Sequence, residues 1–259
     1  MRQSCPSSRL PCWSIKGFMY KLSYDLHIHS CLSPCGDEDM TPGNIVGMSA
    51  LKGLDIIAVT DHNSCRNCPA VIKLAQEYNI VAIPGMELTT MEEVHVLCLF
   101  AELADALRFD QYVYSKLMKI PNDERAFGKQ EICDEEDRVI GKEPYLLINA
   151  TDISFDDLGS LMKEYRGVYL PAHIDKNSNS LLSNLGFIAP DADFTAAEFA
   201  DPARYEEISN KNPYLRQCNI ITDSDAHELG RIQEAVNFLT CESRSREDII
   251  KAIITGRTA

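Results

Sequence analysis

The sequence predicts an α/β fold with helices alternating around a parallel sheet, and three observations lead there. Short apolar runs of strand length recur between stretches of helical spacing. The 259 residues suit one α/β barrel, or else two smaller domains. All six histidines fall in predicted strands, at their ends, or in the turns just after them. In a parallel barrel the C-terminal strand ends form the face where active sites are built.

Taken in order, residues 22–28 read as the first strand. Residues 41–51 read as a helix, with Thr41 as cap and Pro42 at its first position. Residues 55–60 (DIIAVT) form a buried strand between Gly53 and the Asp61-His62-Asn63 turn. A helix over 69–78 follows, then strands over 80–84 (IVAIP) and 94–100 (VHVLCLF). Residues 102–166 break the rhythm with an acidic, helix-prone stretch (104–119) and a charged one with two glycines (122–143). This segment is expected to be a mostly helical insertion, or lid, within a barrel spanning 22–259. Strands return at 167–172, 194–199 and 218–222, and an amphipathic helix over 245–254 closes the chain.

At 45% hydrophobic and 25% charged, the composition is that of a globular protein, and no apolar run approaches the length of a membrane span. The formal net charge of −14 repels phosphodiester backbones, which excludes an extended nucleic-acid groove. Bound divalent cations reverse the field locally, so a small phosphorylated substrate or a single nucleic-acid end stays open. No secretion signal is present, and the ten cysteines are expected to be reduced thiols in a cytoplasmic protein. The first 24 residues lack acids but carry Arg2, Arg9, Lys16 and Lys21. Residues 1–21 are read as an N-terminal extension, with Met19 as the native start.

His27 and His29 close the first strand in Asp-Leu-His-Ile-His-Ser. At i and i+2 on a strand both imidazoles project to one face and can reach one metal ion. Asp225 and His227 share that spacing. His62 follows the second strand, His95 lies in the fourth, and His173 follows Tyr169-Leu170-Pro171-Ala172. Glu87 ends the third strand, and a carboxylate there can bridge two cations. Any one histidine is more often a satisfied core or surface residue. That explanation weakens when none of the six is left over elsewhere.

Together, His27-x-His29, Thr60-Asp61-His62, Gly85-Met86-Glu87, Val94-His95-Val96-Leu97, Pro171-Ala172-His173 and Asp223-Ser224-Asp225-Ala226-His227 resemble the successive motifs of the PHP (polymerase and histidinol phosphatase) family. The likeness covers roughly residues 22–230, apart from 102–166. It implies a distorted (β/α)7 TIM-like barrel holding two or three divalent ions, usually Zn, Mn or Fe, with phosphoesterase activity. By position it implies His27, His29, Glu87 and Asp225 around one ion, Glu87, His95 and His173 around a second, and His62 with His227 at a third. His27, His29, Glu87 and Asp225 would act through water held on the ions. The family often places an Asp or His five or six residues beyond the second histidine. Here Pro34 and Cys35 stand there, followed by Gly36 and Asp37, so a Cys35 thiolate, favouring Zn or Fe, is the candidate third-site ligand.

The expected chemistry is metal-assisted hydrolysis of a phosphate monoester. The long stretch between His95 and His173 resembles the branch acting on nucleoside 3′,5′-bisphosphates and short oligonucleotide ends. A histidinol-phosphate phosphatase is the alternative enzyme, and a metal- or redox-sensing module is the alternative of another class. Arg66, Lys176, Arg204 and Arg231 are the candidate substrate-binding cations. Asp25 and Asp61 are expected to orient histidines. Cys31, Cys35, Cys65 and Cys68 follow the first two motifs, and a separate four-thiol metal site is the sharper reading of them, against ordinary loop cysteines. There is no G-x-S-x-G elbow and no G-x-x-x-x-G-K-[ST] loop.

Overall fold

The computed structural model describes residues 19–256. Residues 1–18 of the expected extension lie outside them, whereas Tyr20 and Lys21, which the expectation also placed in the extension, begin the first strand and pair with the last one. The elements run β1 (Tyr20–Ile28), α1 (Pro42–Leu51), β2 (Ile56–Val59), α2 (Cys68–Glu77), β3 (Val81–Thr89) and β4 (His95–Phe100). Next come α3 (Leu103–Lys116), α4 (Glu124–Phe127), β5 (Glu131–Cys133), β6 (Val139–Lys142), α5 (Leu158–Tyr165) and β7 (Gly167–Pro171). The chain finishes with α6 (Leu181–Leu185), β8 (Ala196–Glu198), α7 (Tyr205–Lys211), β9 (Asn219–Ile221), β10 (Phe238–Cys241) and α8 (Arg246–Thr255).

Six strands form one sheet in the order β10-β1-β2-β3-β4-β7, which curls into half a barrel. β1, β2 and β3 are parallel, as the sequence predicts. β4 runs antiparallel to both β3 and β7, and β10 antiparallel to β1, so the sheet is mixed rather than parallel throughout. The reason is the connection: five residues (90–94) join β3 to β4, enough for a hairpin, whereas a parallel crossover takes a dozen or more. A separate parallel pair, β8–β9, lies between the end of β7 and β1. Ile174 N–H donates to the Glu198 carbonyl on one side, and His29 N–H to the Ala226 carbonyl on the other, each at 2.9 Å.

Two apolar layers hold the sheet. Inside the curl, Leu22, Leu26, Ile56, Ile83, Leu97 and Leu170 pack with Ile221 and are closed off by Ile249 and Ile253 of α8. The Ser245 side chain caps that helix by accepting from Asp248 N–H at 3.2 Å. Outside it, Ile57, Val59, Met86, Val96 and Phe100 pack against helices α1, α2, α3 and α5. α1 begins as the sequence predicts, with Thr41 as N-cap and Pro42 first. The helical character expected of 102–166 is confined to α3, α4, α5 and the 3-10 turn Phe155–Asp157 that leads into α5. α3 and α5 bury Phe109, Val113, Leu158 and Met162 in the outer core. Between them the chain is largely irregular, with the β5–β6 hairpin at its centre. No helix among the described residues is long and apolar enough to cross a membrane.

Candidate metal centre

The strand ends bring the candidate ligands to one place. His27 and His29 leave β1 on one face, as their spacing requires, and both are fully buried. Glu87, in β3, is the hub. Its Oε1 lies 3.3 Å from His27 Nε2, 2.8 Å from His95 Nδ1 and 3.1 Å from His173 Nε2. Its Oε2 lies 3.3 Å from His29 Nε2 and 3.0 Å from His62 Nδ1. Asp225 Oδ1 completes the floor at 3.4 Å from His27 Nε2 and 3.3 Å from His29 Nε2. His173 and Asp225 sit on left-handed backbone, at φ 30 and φ 50, just beyond β7 and β9. His227 stacks on His29 with ring centroids 4.3 Å apart.

A second layer sets the ring orientations. His27 Nδ1–H donates to the Glu198 carboxylate at 3.0 Å, and the same carboxylate accepts the His173 backbone N–H at 2.6 Å. His29 Nδ1–H donates to Ser33 Oγ at 2.9 Å, and Ser33 Oγ–H donates to Asp61 at 2.6 Å. Asp61 also accepts from Ser30 N–H and Ser30 Oγ–H. It thus orients His29 through Ser33. Asp25 instead accepts from Ser224 N–H and Gln233 N–H, bracing the segment that carries Asp225 rather than a histidine ring.

Those outer bonds make the donor set fit divalent cations. With both Nδ1 protons engaged, His27 Nε2 and His29 Nε2 turn their lone pairs toward each other at 3.1 Å and toward the oxygens of Glu87 and Asp225. Such a cluster is held together only by protons or cations at its centre. Burial opposes a charged His27, yet Glu198, Glu87 and Asp225 outweigh it and hold the ring well above its ordinary value. His29, also opposed by burial, is raised to about 9 by Asp225 and Glu87. Burial would raise Glu87, but His95, His27 and His62 hold it well below the carboxylate range. Burial depresses His62 to about 3, and burial with the neighbouring His29 depresses His227 to about 4.

The ligand atoms fall into three overlapping groups, each with all its atoms within 4.8 Å of one another: His27, His29 and Asp225; His62, Glu87 and His95; and His29, Cys35, His62 and His227. His62 therefore lies beside Glu87 and His95 as well as beside His227. His173 reaches Glu87 but stands outside these groups, its Nδ1 buried without a hydrogen-bond partner. Cys35 is exposed at the mouth, whereas Asp37 joins no group.

The other candidates divide. Lys176 lines the pocket and pairs with Asp225. Arg66 does not reach it: the guanidinium pairs with Glu143 and Asp110 and lies over the Tyr114 ring at 4.5 Å. It neutralises the buried Glu143 carboxylate instead of facing substrate. Arg204 lines the neighbouring cavity, and Arg231, in a 3-10 turn, lines neither. The four loop thiols do not converge. Cys31 Sγ lies 3.7 Å from Cys133 Sγ, whereas the Cys65 and Cys68 thiols donate to the Gly85 carbonyl from the core. No four-cysteine group exists among the described residues. Glu198 was legible but unread: a lone acid in the apolar 194–199 strand must find a buried partner.

A model of the PHP domain matches residues 25–225. An uncharacterized protein of Methanocaldococcus jannaschii is 34% identical over 76 residues, which cover 26% of this chain and 44% of that protein. Among solved structures, the fold is similar to that of a lesion-specific endonuclease, Endonuclease Q of Pyrococcus furiosus. That likeness has a TM-score of 0.64 and 19% identity over 92% of this chain and 57% of the other. A protein of Bifidobacterium adolescentis named as a metal-dependent phosphoesterase gives a TM-score of 0.57 and 17% identity, covering 90% of this chain and 96% of its own. The chain thus spans less than half of the curated relative and little more than half of the endonuclease, and at these identities the structural likeness is one of fold.

Proposed function

We propose, for a chain that belongs to the PHP domain family, that this pocket hydrolyses phosphate esters with two or three divalent cations, Zn, Mn or Fe. The convergence of five imidazoles on the one carboxylate of Glu87 carries the reading. His27, His29 and Asp225 would hold one ion. Glu87 would bridge to a second held by His62 or His173 together with His95, and His62, His227 and Cys35 would hold a third. Cations there supply Lewis acidity for phosphoryl oxygens and acidify water. In the net reaction water adds to phosphorus, the bond to the alcohol oxygen breaks, and that oxygen takes up a proton.

The chain's own groups do the rest. Glu198 and the Ser33–Asp61 pair fix which nitrogen of His27 and of His29 faces the centre, so the ligands are oriented before substrate arrives. The Lys176 ammonium, beside Asp225, is placed to meet a phosphoryl oxygen by a charge-assisted hydrogen bond. The cavity, about 190 Å³, accepts a phosphoryl group with part of its alcohol. A nucleoside 3′,5′-bisphosphate or the end of a short oligonucleotide is the substrate class we favour. The net charge of −14 supports an end over a long duplex, and Endonuclease Q, similar in fold, has been solved with a duplex carrying an abasic lesion. The test is phosphate release by Mn-loaded protein from p-nitrophenyl phosphate, adenosine 3′,5′-bisphosphate and short oligonucleotides. Silence on all three refutes the hydrolase reading and leaves a metal-sensing module.

A further inference from the structure

We propose that Cys31 and Cys133 form a reversible disulfide, which fastens the β5–β6 hairpin to the loop that follows His29. The pairing is independent of phosphate chemistry and holds whether or not the pocket hydrolyses esters. The two residues stand 102 positions apart in the chain, yet their Sγ atoms lie 3.7 Å from each other. Both are buried, at 5% and 3% exposure. Backbone contacts fix the approach. Glu131 N–H donates to the Cys31 carbonyl at 3.0 Å. The buried Asn67 side chain spans the same gap: its Nδ2–H groups donate to Ser30 Oγ at 2.8 Å and to the Glu131 carbonyl at 3.2 Å. Its Oδ1 accepts Cys133 N–H at 2.9 Å. With both backbones pinned, the remaining approach of the sulfurs, from 3.7 Å to a bond of about 2.05 Å, falls to the two side-chain torsions.

The bond would join two functional parts of the chain. Cys133 ends β5, and the turn beyond it reaches two helices: Asp137 accepts Gly43 N–H of α1 at 2.8 Å, and Glu135 pairs with Lys73 of α2. Cys31 stands midway between His29 and Ser33, whose hydroxyl holds the His29 ring. A covalent tie there secures the hairpin to the segment that orients a candidate metal ligand. Hydrogen peroxide, small enough to enter the seam as the hairpin opens, supplies the oxidising equivalents. Burial raises both thiols, which makes the reaction slow, and Cys133 leads because a hydrogen bond from the Cys31 S–H stabilises its thiolate. The Cys133 thiolate attacks a peroxide oxygen and the O–O bond breaks. The departing hydroxide takes up the proton that Cys133 gave to solvent. The Cys31 sulfur then attacks the resulting sulfenic sulfur, the S–O bond breaks, and a second water leaves with the Cys31 proton. Two thiols and one peroxide thus give one disulfide and two waters.

The experiment treats the full chain with hydrogen peroxide under native conditions, blocks the remaining thiols, and maps its peptides by mass spectrometry without reduction. The expected product is a cross-linked pair of peptides containing Cys31 and Cys133, separated again by dithiothreitol. Because the bond closes a loop of about 100 residues, the oxidised chain should unfold about 5–10 °C above the reduced one. In Cys133→Ser that increment should vanish, and Cys31 should be recovered as a blocked thiol. Recovery of Cys31 and Cys133 from the oxidised protein as thiols or sulfonic acids, or a bond from either to another cysteine, overturns the pairing. A cross-link with no rise in Tm overturns the fastening. The mapping uses the unsubstituted protein, so the pairing is decided even if Cys133→Ser fails to fold.

Discussion

On the floor of the pocket, ligands come from strands or the residues just beyond them, and the rings of His27 and His29 are each held at a second atom. At the mouth, Cys35, His227 and Lys176 come from loops and lean on solvent. His27, His29, Glu87 and Glu198 are at most 1% exposed, whereas the His227 side chain is 32% exposed and that of Lys176 41%. On the proposed reading, the difference means that the buried frame would set cation affinity, while the mouth would adjust stoichiometry and substrate choice.

The sharpest way to break this contrast is at the hub. Glu87→Gln should abolish turnover and most bound metal, and His29→Ala should abolish turnover with circular dichroism nearly unchanged. Retained metal and wild-type turnover in either would place the centre elsewhere. One shell out, Glu198→Ala should weaken metal binding about 10–100-fold, since His27 loses the acceptor that fixes its tautomer. Metal titration followed by calorimetry measures this, and an unaltered affinity would show Glu198 to be merely structural.

Acidity separates the two regions next. In the metal-free protein His29, raised to about 9, carries a proton at pH 7.5 that a cation must displace. His62 at about 3 and His227 at about 4 carry none. Binding should therefore release protons, and tighten as pH rises toward 9. Calorimetry in buffers of different ionisation enthalpy counts the protons, and a count of zero contradicts the assignment. For metal-free stability the signs oppose. The His29 contribution is full below its unfolded value of about 6.5 and lost as pH rises through 9, whereas His62 costs stability as pH falls below about 6.5. The smallest effect belongs to the mouth: Cys35→Ala should remove at most one ion per chain by metal analysis. Loss of all metal would mean that the mouth supports the floor.

Much of the floor could be read from the sequence because period-two spacing is local: His27 and His29 share a face whatever surrounds them. Asp225 and His227 were paired by the same rule, yet they converge through a left-handed turn, with His227 Nδ1–H bonded to the Asp225 carbonyl at 2.8 Å. The reversal of β4 was not legible: the strands expected at 80–84 and 94–100 stand nine residues apart, and only the continuation of β3 to Thr89 shortens the link to five. Nor was Arg66, since its partner Glu143 lies far along the chain and nothing local announces the pairing. The short edge strand β10 escaped for a similar reason, as its pairing with β1 bridges more than two hundred residues.

One seam has a consequence for how the protein comes into being. β1 meets the 223–227 segment directly: Leu26 N–H donates to Asp223 Oδ1 at 2.6 Å, and the backbones of His29 and Ala226 are joined. A growing chain that has emerged through His173 holds five of its six histidines and still has no pocket, because Asp225 and the strand beside it do not yet exist. The pocket can close only once residues 223–227 have joined β1, so any cation held in this geometry would be held only after that seam has formed.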